Sequence, residues 1–144
     1  MVLVDTSALF ALLDGDQPAN PAATNALRDL ADSTLVTHGY VVAEAVALVR
    51  RRLGPAATLD LIDRLLTPIH VHAVDDELHQ LALEDFRATG ATGPSLVDRT
   101  SFAFMRREKI TTAFAVDRDF LAAGFRVVPE PSPEAAEVNR AAQP

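Results

Sequence analysis

The feature that most constrains this chain is a short apolar run stopped by an acid. Val2, Leu3 and Val4 form an uninterrupted apolar segment of strand length, Asp5 ends it, and after Thr6 and Ser7 apolar residues follow at helical spacing from Ala8 to Leu13. The arrangement returns near the end, where TTAFAV precedes Asp117 and a short helical segment, DRDFLAAG. Both acids therefore stand where a buried strand would give way to a helix.

Between them, strand-like and helical segments alternate. Asn20 with Pro21 reads as the N-cap and first position of a helix through Asp32, and Leu35–Thr37 as a second strand. YVVAEAVALVRRRL carries apolar residues on several faces, which predicts a largely buried helix stopped by Gly54 and Pro55. Leu59, Ile62, Leu65 and Leu66 share a helical face, IHVHAV alternates as a strand, and Asp75 or Asp76 caps a helix through Phe86. After the GATGP break, SLVDRTSFAFMRREK presents Leu96, Phe102 and Met105 to a core, and FRVV makes a last strand. Alternation of this kind predicts an α/β fold: a mostly parallel central sheet with helices on both faces and right-handed crossovers.

A chain of 144 residues, 49% hydrophobic and 23% charged, suits a single domain with a real core. Residues 1–129 read as that domain and residues 130–144, rich in Pro, Ala and charge, as a flexible tail. The absence of cysteine excludes disulfides and thiolate metal sites. No basic region precedes the first apolar stretch, and no uncharged segment approaches the ~18 residues of a membrane span, so the expectation is a soluble, cytoplasmic protein without membrane contact. Thirteen Lys and Arg against 20 Asp and Glu give a net charge of -7, the wrong sign for gripping nucleic acid by bulk electrostatics. Any such contact must be local, and arginines do cluster at Arg50–Arg52 and among Arg99, Arg106, Arg107 and Lys109.

In parallel sheets, ligands bind beyond the carboxyl ends of the strands. Asp5 and Asp117 would project there together. Glu44 interrupts an apolar helical stretch, where an unpartnered carboxylate is costly, and Asp98 stands near a helix start whose dipole favours a carboxylate. Converging carboxylates repel unless a cation neutralises them, and an all-oxygen set suits magnesium or manganese better than zinc. Such an ion activates water and neutralises charge on a phosphate, so phosphodiester hydrolysis is the natural chemistry. Taken singly, Asp5, Asp98 and Asp117 read equally well as helix caps or surface charges, and Glu44 could pair with Arg50.

VDTSALFALL, the glutamate of VVAEAVALV, and SLVDRTSFAFMRREKITTAFAVDRDFLAAGFRVVP together resemble the PIN-domain family. More narrowly, the DRTSFAFM to VDRDFLAAGF block is similar to the VapC toxins of bacterial toxin-antitoxin pairs, over roughly Val2 to Pro129. The resemblance implies a three-layer α/β/α fold and a magnesium- or manganese-dependent endoribonuclease, with the family's four acids falling on Asp5, Glu44, Asp98 and Asp117. It also implies homodimerisation, an RNA substrate such as tRNA or rRNA, and a cognate VapB-type antitoxin that covers the acidic site. Thr6 matches a polar position that could orient a carboxylate or water, and reads equally as a helix-start hydroxyl. Asp119 would add a carboxylate or face solvent or an arginine. Arg99 stands where many members carry a small residue, and could contact substrate phosphate, pair with Asp98 or face solvent.

His70 and His72 share one face of their strand, which suits a polar sheet edge better than a metal site. A haloacid-dehalogenase pattern would need a second aspartate where Ser7 stands, and no Walker A motif, dinucleotide-binding glycine fingerprint or nucleophile elbow is present. The competing class is a PIN-like module that binds RNA or protein without cleaving.

Overall fold

A computed structural model describes residues 1–132; the tail expected at 130–144 lies almost wholly outside the described residues. Among the described residues, five parallel strands form one sheet in the order β3-β2-β1-β4-β5. They are β1 (Val2–Val4), β2 (Leu35–His38), β3 (His70–His72), β4 (Thr112–Phe114) and β5 (Arg126–Val128). The helices are α1 (Thr6–Leu13), α2 (Asn20–Asp29), α3 (Gly39–Leu53), α4 (Pro55–Asp60), α5 (Asp76–Ala88), α6 (Leu96–Glu108) and α7 (Asp119–Ala122).

Side chains alternate across each strand, and the alternation assigns the layers. Val2, Val4, Leu35 and Phe114 join one core with Leu9 of α1, Ala23 of α2, Val41 and Val49 of α3, and Leu61. Leu3, Val36, Ala113 and Val127 join the other, with Leu78 of α5, Phe102, Phe104 and Met105 of α6, and Phe120 of α7. α1–α4 thus cover one face and α5–α7 the other, the three-layer arrangement that the alternating sequence predicts. Each fully buried Leu or Phe contributes roughly 1.5–3 kcal/mol, and both faces of the sheet are needed to hide them.

Four local expectations are corrected. Asn20 does not cap α2; Ala19 occupies that position, and the Asn20 amide donates instead to the Ala11 and Leu12 carbonyls at the end of α1. α3 is not buried all round, since only Val41, Ala45 and Val49 are fully covered and the rest of its surface meets solvent to varying degrees. After α4 the chain widens into a π-helical turn, Leu61–Leu65, which changes the face: Leu61 is buried while Leu59 and Ile62 are 59% and 45% exposed. Pairing in β4 stops at Phe114, so Asp117 belongs to the loop beyond the strand. His70, Val71 and His72 are exposed on the edge strand β3, in keeping with the polar-edge reading.

The strand order positions the site. The chain moves outward from β1 to β2 and β3, and then resumes on the other side of β1 with β4 and β5. The crevice between the carboxyl ends of β1 and β4 is therefore the topological switch point, where loops diverge and leave room for a ligand.

Candidate active site

Asp5 follows β1 directly, and its backbone N–H donates to the Phe114 carbonyl at 2.9 Å, the last tie between the two central strands. Its carboxylate caps α1. Oδ2 accepts from the Ser7 N–H at 3.0 Å and from the Ser7 hydroxyl at 2.6 Å, whereas the buried Oδ1 has no partner. Burial pushes the Asp5 carboxyl up to about 7; the Ser7 hydroxyl opposes this, and the neighbouring charges of Asp117 and Asp98 add to it.

Asp98 arrives from the opposite layer. α6 runs back across the sheet into β4, so its first turn lies at the carboxyl edge. Ser95 and Asp98 form a reciprocal capping box, with Ser95 Oγ accepting from the Asp98 N–H and Asp98 Oδ2 accepting from the Ser95 N–H, each at 3.1 Å. One Asp98 oxygen is thereby fixed by its own helix. Burial raises the Asp98 carboxyl, the Ser95 hydrogen bonds lower it, and Asp119 raises it further.

Asp117 sits beyond β4, its Oδ1 accepting from the Asp119 N–H at 3.2 Å. Burial, then Asp98, then Asp119 raise its carboxyl to about 6, and Glu44 contributes in the same direction. Asp5, Asp98 and Asp117 each offer one oxygen within 4.8 Å of the others. Glu44, half-buried on the second turn of α3, stands outside this trio but close enough for its charge to act on Asp117. Asp119, half-buried, likewise lies outside it, and its charge acts on both Asp98 and Asp117.

The structure gives other work to the two remaining residues. The Thr6 hydroxyl is buried and donates to the Val41 carbonyl at 3.5 Å, a long contact between α1 and α3 rather than one to a carboxylate. Arg99, only 5% exposed, does not face solvent, and its hydrogen bonds do not include Asp98. Its guanidinium meets Asp85 Oδ2 at 2.8 Å, the carbonyls of Asp85, Pro94 and Thr92, and the Thr89 hydroxyl, stitching the α5–α6 loop to the start of α6. A guanidinium so engaged is not available to a phosphate, which corrects the substrate-contact expectation.

Two positioning contacts escaped the reading of the sequence. Ser7 Oγ donates to Asp5 and accepts from the Val116 N–H at 3.0 Å, so one hydroxyl joins the loops after β1 and β4. His38, at the end of β2, is wholly buried and meets Ser101 Oγ through Nε2 at 2.8 Å, one turn after Asp98 on α6. Burial depresses this imidazole to about 4, so it is neutral at physiological pH.

The acids fit a hard divalent cation. Every donor is a carboxylate oxygen, three converge, and the orphaned Oδ1 of Asp5 is buried where only a cation or a donor could satisfy it.

Fold and site define a class: a doubly covered parallel sheet whose switch point is furnished with carboxylates rather than with a glycine-rich phosphate loop. The family model described as the PIN domain matches residues 2–126, and the chain belongs to the PIN-domain family. Over 126 residues it is 36% identical to the 23S rRNA-specific endonuclease VapC20 of Mycobacterium tuberculosis, covering 87% of this chain and 95% of that protein. The crystal structure of VapC20, described as a Sarcin-Ricin loop cleaving toxin, superposes with a TM-score of 0.78 at 33% identity, over 87% of this chain and 96% of that one. FitAcB from Neisseria gonorrhoeae shares the fold, with a TM-score of 0.67 at 20% identity over 89% and 96% of the two chains.

Proposed function

We propose that this protein is a metal-dependent endoribonuclease toxin that hydrolyses phosphodiester bonds in ribosomal RNA and is held in check by a cognate VapB-type antitoxin. The observation that carries this reading is the convergence of Asp5, Asp98 and Asp117 oxygens within 4.8 Å at the switch point. The likeness to a 23S rRNA endonuclease over nearly its whole length supports the choice of RNA.

Asp5, Asp98 and Asp117 would hold magnesium or manganese, with Glu44 and Asp119 completing the acidic surround. When bound, the ion neutralises charge on a phosphate oxygen and makes a water molecule more acidic. The residues do the positioning. Ser7 fixes one oxygen of Asp5 and leaves the other free to ligate, and Ser95 does the same for Asp98. Glu44, less buried than Asp5, would accept a hydrogen bond from the attacking water and take its proton. A new P–O bond forms to the water oxygen as one ester P–O bond breaks, leaving a phosphomonoester on one fragment and a hydroxyl on the other. Fixing water and phosphate together supplies the entropic part of the rate enhancement.

Homodimerisation and action in the cytoplasm complete the proposal. No described helix is long and apolar enough to cross a membrane.

The decisive test is to incubate wild type and Asp5→Asn with total bacterial RNA, with manganese or magnesium and with chelator, and to map new 5′ ends by sequencing. Discrete cuts made only by metal-loaded wild type, concentrated in ribosomal RNA, are expected. Cuts shared by the variant, or RNA binding without any cuts, would replace the nuclease with a non-catalytic module.

A further inference from the structure

A protein with net charge -7 must find local cations to hold a polyanion. Several arginines are already engaged: Arg99 in the α5–α6 loop, Arg107 with Asp75 and Glu108, Arg64 with Asp60, and Arg106 over the Phe125 ring. Arg50, Arg51 and Arg52, in the last turn of α3, are exposed, and none is among the ion pairs formed by the described residues.

Helix geometry relates these arginines to the acids. Tyr40, Glu44, Ala47, Leu48 and Arg51 follow one another at spacings of four, three, one and three, which places them on one face of α3. The stripe of Val41, Ala45 and Val49, about 100° further round the helix, is buried in the core. Arg51 lies seven residues beyond Glu44, or ~10 Å along the axis. A groove of about 510 Å³, lined by Ala47, Arg50, Arg51 and Pro55, opens on this side of the helix, one turn past Glu44. Its far wall is made where Gly54, at φ 88°, ends α3 and Pro55 starts α4.

We propose that this groove binds a phosphate flanking the scissile one, so that RNA runs along the outer face of α3 from Glu44 to Arg51. The inference rests on the ribonuclease reading of the acidic site. It supplies what that site lacks, since a cluster of acids repels the strand it must cut and a guanidinium fork offset along the same face offers paired donors to the backbone. Contacts of this kind set affinity and strand register rather than base preference.

The test measures binding of a fluorescent, transcribed 23S rRNA hairpin by anisotropy at several salt concentrations, using Asp98→Asn protein to prevent turnover. Arg51→Ala is expected to lower the salt dependence by about 0.7 in log–log slope, and Arg50→Ala with Arg51→Ala by about twice that. Arg51→Lys keeps most of the slope, because it keeps the charge. Arg87→Ala, which removes an exposed arginine from the last turn of α5, controls for loss of a cation at a helix end and leaves the slope unchanged.

In proteins with intact acids, the double arginine variant raises KM for the hairpin about three- to tenfold while kcat changes less. Unchanged slope and KM would overturn the groove and leave the ribonuclease standing. Unchanged slope with loss of self-association or antitoxin capture would assign the surface to a protein partner and overturn it equally. A reduced slope in a wild-type background that cleaves no RNA would keep the groove and remove the ribonuclease.

Discussion

The Ser7 hydroxyl donates to Asp5 Oδ2 at 2.6 Å while accepting from the backbone N–H of Val116 at 3.0 Å, closing a bridge between residues 109 positions apart. Asp5 and the Asp117 loop are therefore held by the same oxygen. The bridge exists because β1 and β4 are adjacent, with Val4 opposite Phe114. It also decides which Asp5 oxygen remains for a ligand, since both Ser7 donors occupy Oδ2 and leave Oδ1 bare.

Ser7→Ala removes that hydroxyl without touching any of the acids. Cleavage is expected to fall about 10- to 100-fold, the usual cost of losing a residue that orients a metal ligand. Stability should fall by about 1–2 kcal/mol in urea denaturation, because Val116 N–H and Asp5 each lose a partner. Ser7→Thr, which keeps the hydroxyl, should recover most of the activity. A Ser7→Ala enzyme of wild-type rate would show that the bridge has no part in the chemistry.

Asp98→Asn isolates charge from geometry. The asparagine carbonyl can still accept from the Ser95 N–H, so the capping box and the start of α6 survive, and stability should change by less than about 1 kcal/mol. Induced expression of wild type is expected to arrest bacterial growth, and expression of Asp98→Asn to equal amounts is not. Equal toxicity of the two would remove the catalytic explanation.

Arg99→Lys tests whether the loop before α6 needs a fork or only a charge. Five acceptors surround the guanidinium, and an ammonium can reach only some of them. Both Arg99→Lys and Arg99→Ala are expected to cost about 2–3 kcal/mol, because the carbonyls of Pro94 and Thr92 lose donors. With Ser95 no longer held in place, kcat should fall while KM for RNA stays near wild type. A rise in KM with kcat intact would instead put Arg99 on the substrate.

Which parts of this architecture were legible in the sequence follows from the range of the interactions that make them. Strand β1, the Gly54–Pro55 stop and the start of α6 are written in neighbouring residues, and alternation then fixes the layers. Asp5 and Asp98 could be placed at the carboxyl edge because each marks the end of one element or the beginning of another. The role of Ser7 could not, since its second partner is set by strand order, and neither could the His38–Ser101 contact across 63 positions. Arg99 was misread because its five acceptors, the Asp85 carboxylate, the Thr89 hydroxyl and the carbonyls of Asp85, Thr92 and Pro94, are brought together by the packing of α5 and its loop on α6 and not by any pattern local to Arg99. The faces of α4 were misread because the π-helical turn at Leu61–Leu65 breaks the 3.6-residue period on which the reading depended.

Burial and mutual repulsion hold Asp5 at about 7 and Asp117 at about 6, both well above 3.8, and the consequence for stability has a definite sign. Between about pH 4 and 7 the folded, metal-free protein keeps protons that the unfolded chain has released, so these two acids stabilise the fold at low pH and lose that contribution as pH rises. His38 acts oppositely between about 4 and 6.5, because its depressed value means that the unfolded chain binds the extra proton. Asp5→Asn separates the two effects. In chelator, the variant should gain on wild type from pH 5 to about pH 7 and then level off, by an amount on the order of a few kcal/mol, since an ionised Asp5 is buried with one oxygen bare. Adding manganese at pH 8 should reverse the order, raising the melting temperature of wild type and scarcely moving that of Asp5→Asn, which has lost a ligand. The same substitution would then stabilise the empty protein and cost more than about a hundredfold in RNA cleavage, because losing a ligand costs at least as much as losing the residue that orients it. If the stability difference between wild type and Asp5→Asn were independent of both pH and manganese, the carboxylate would be neither strained nor a ligand.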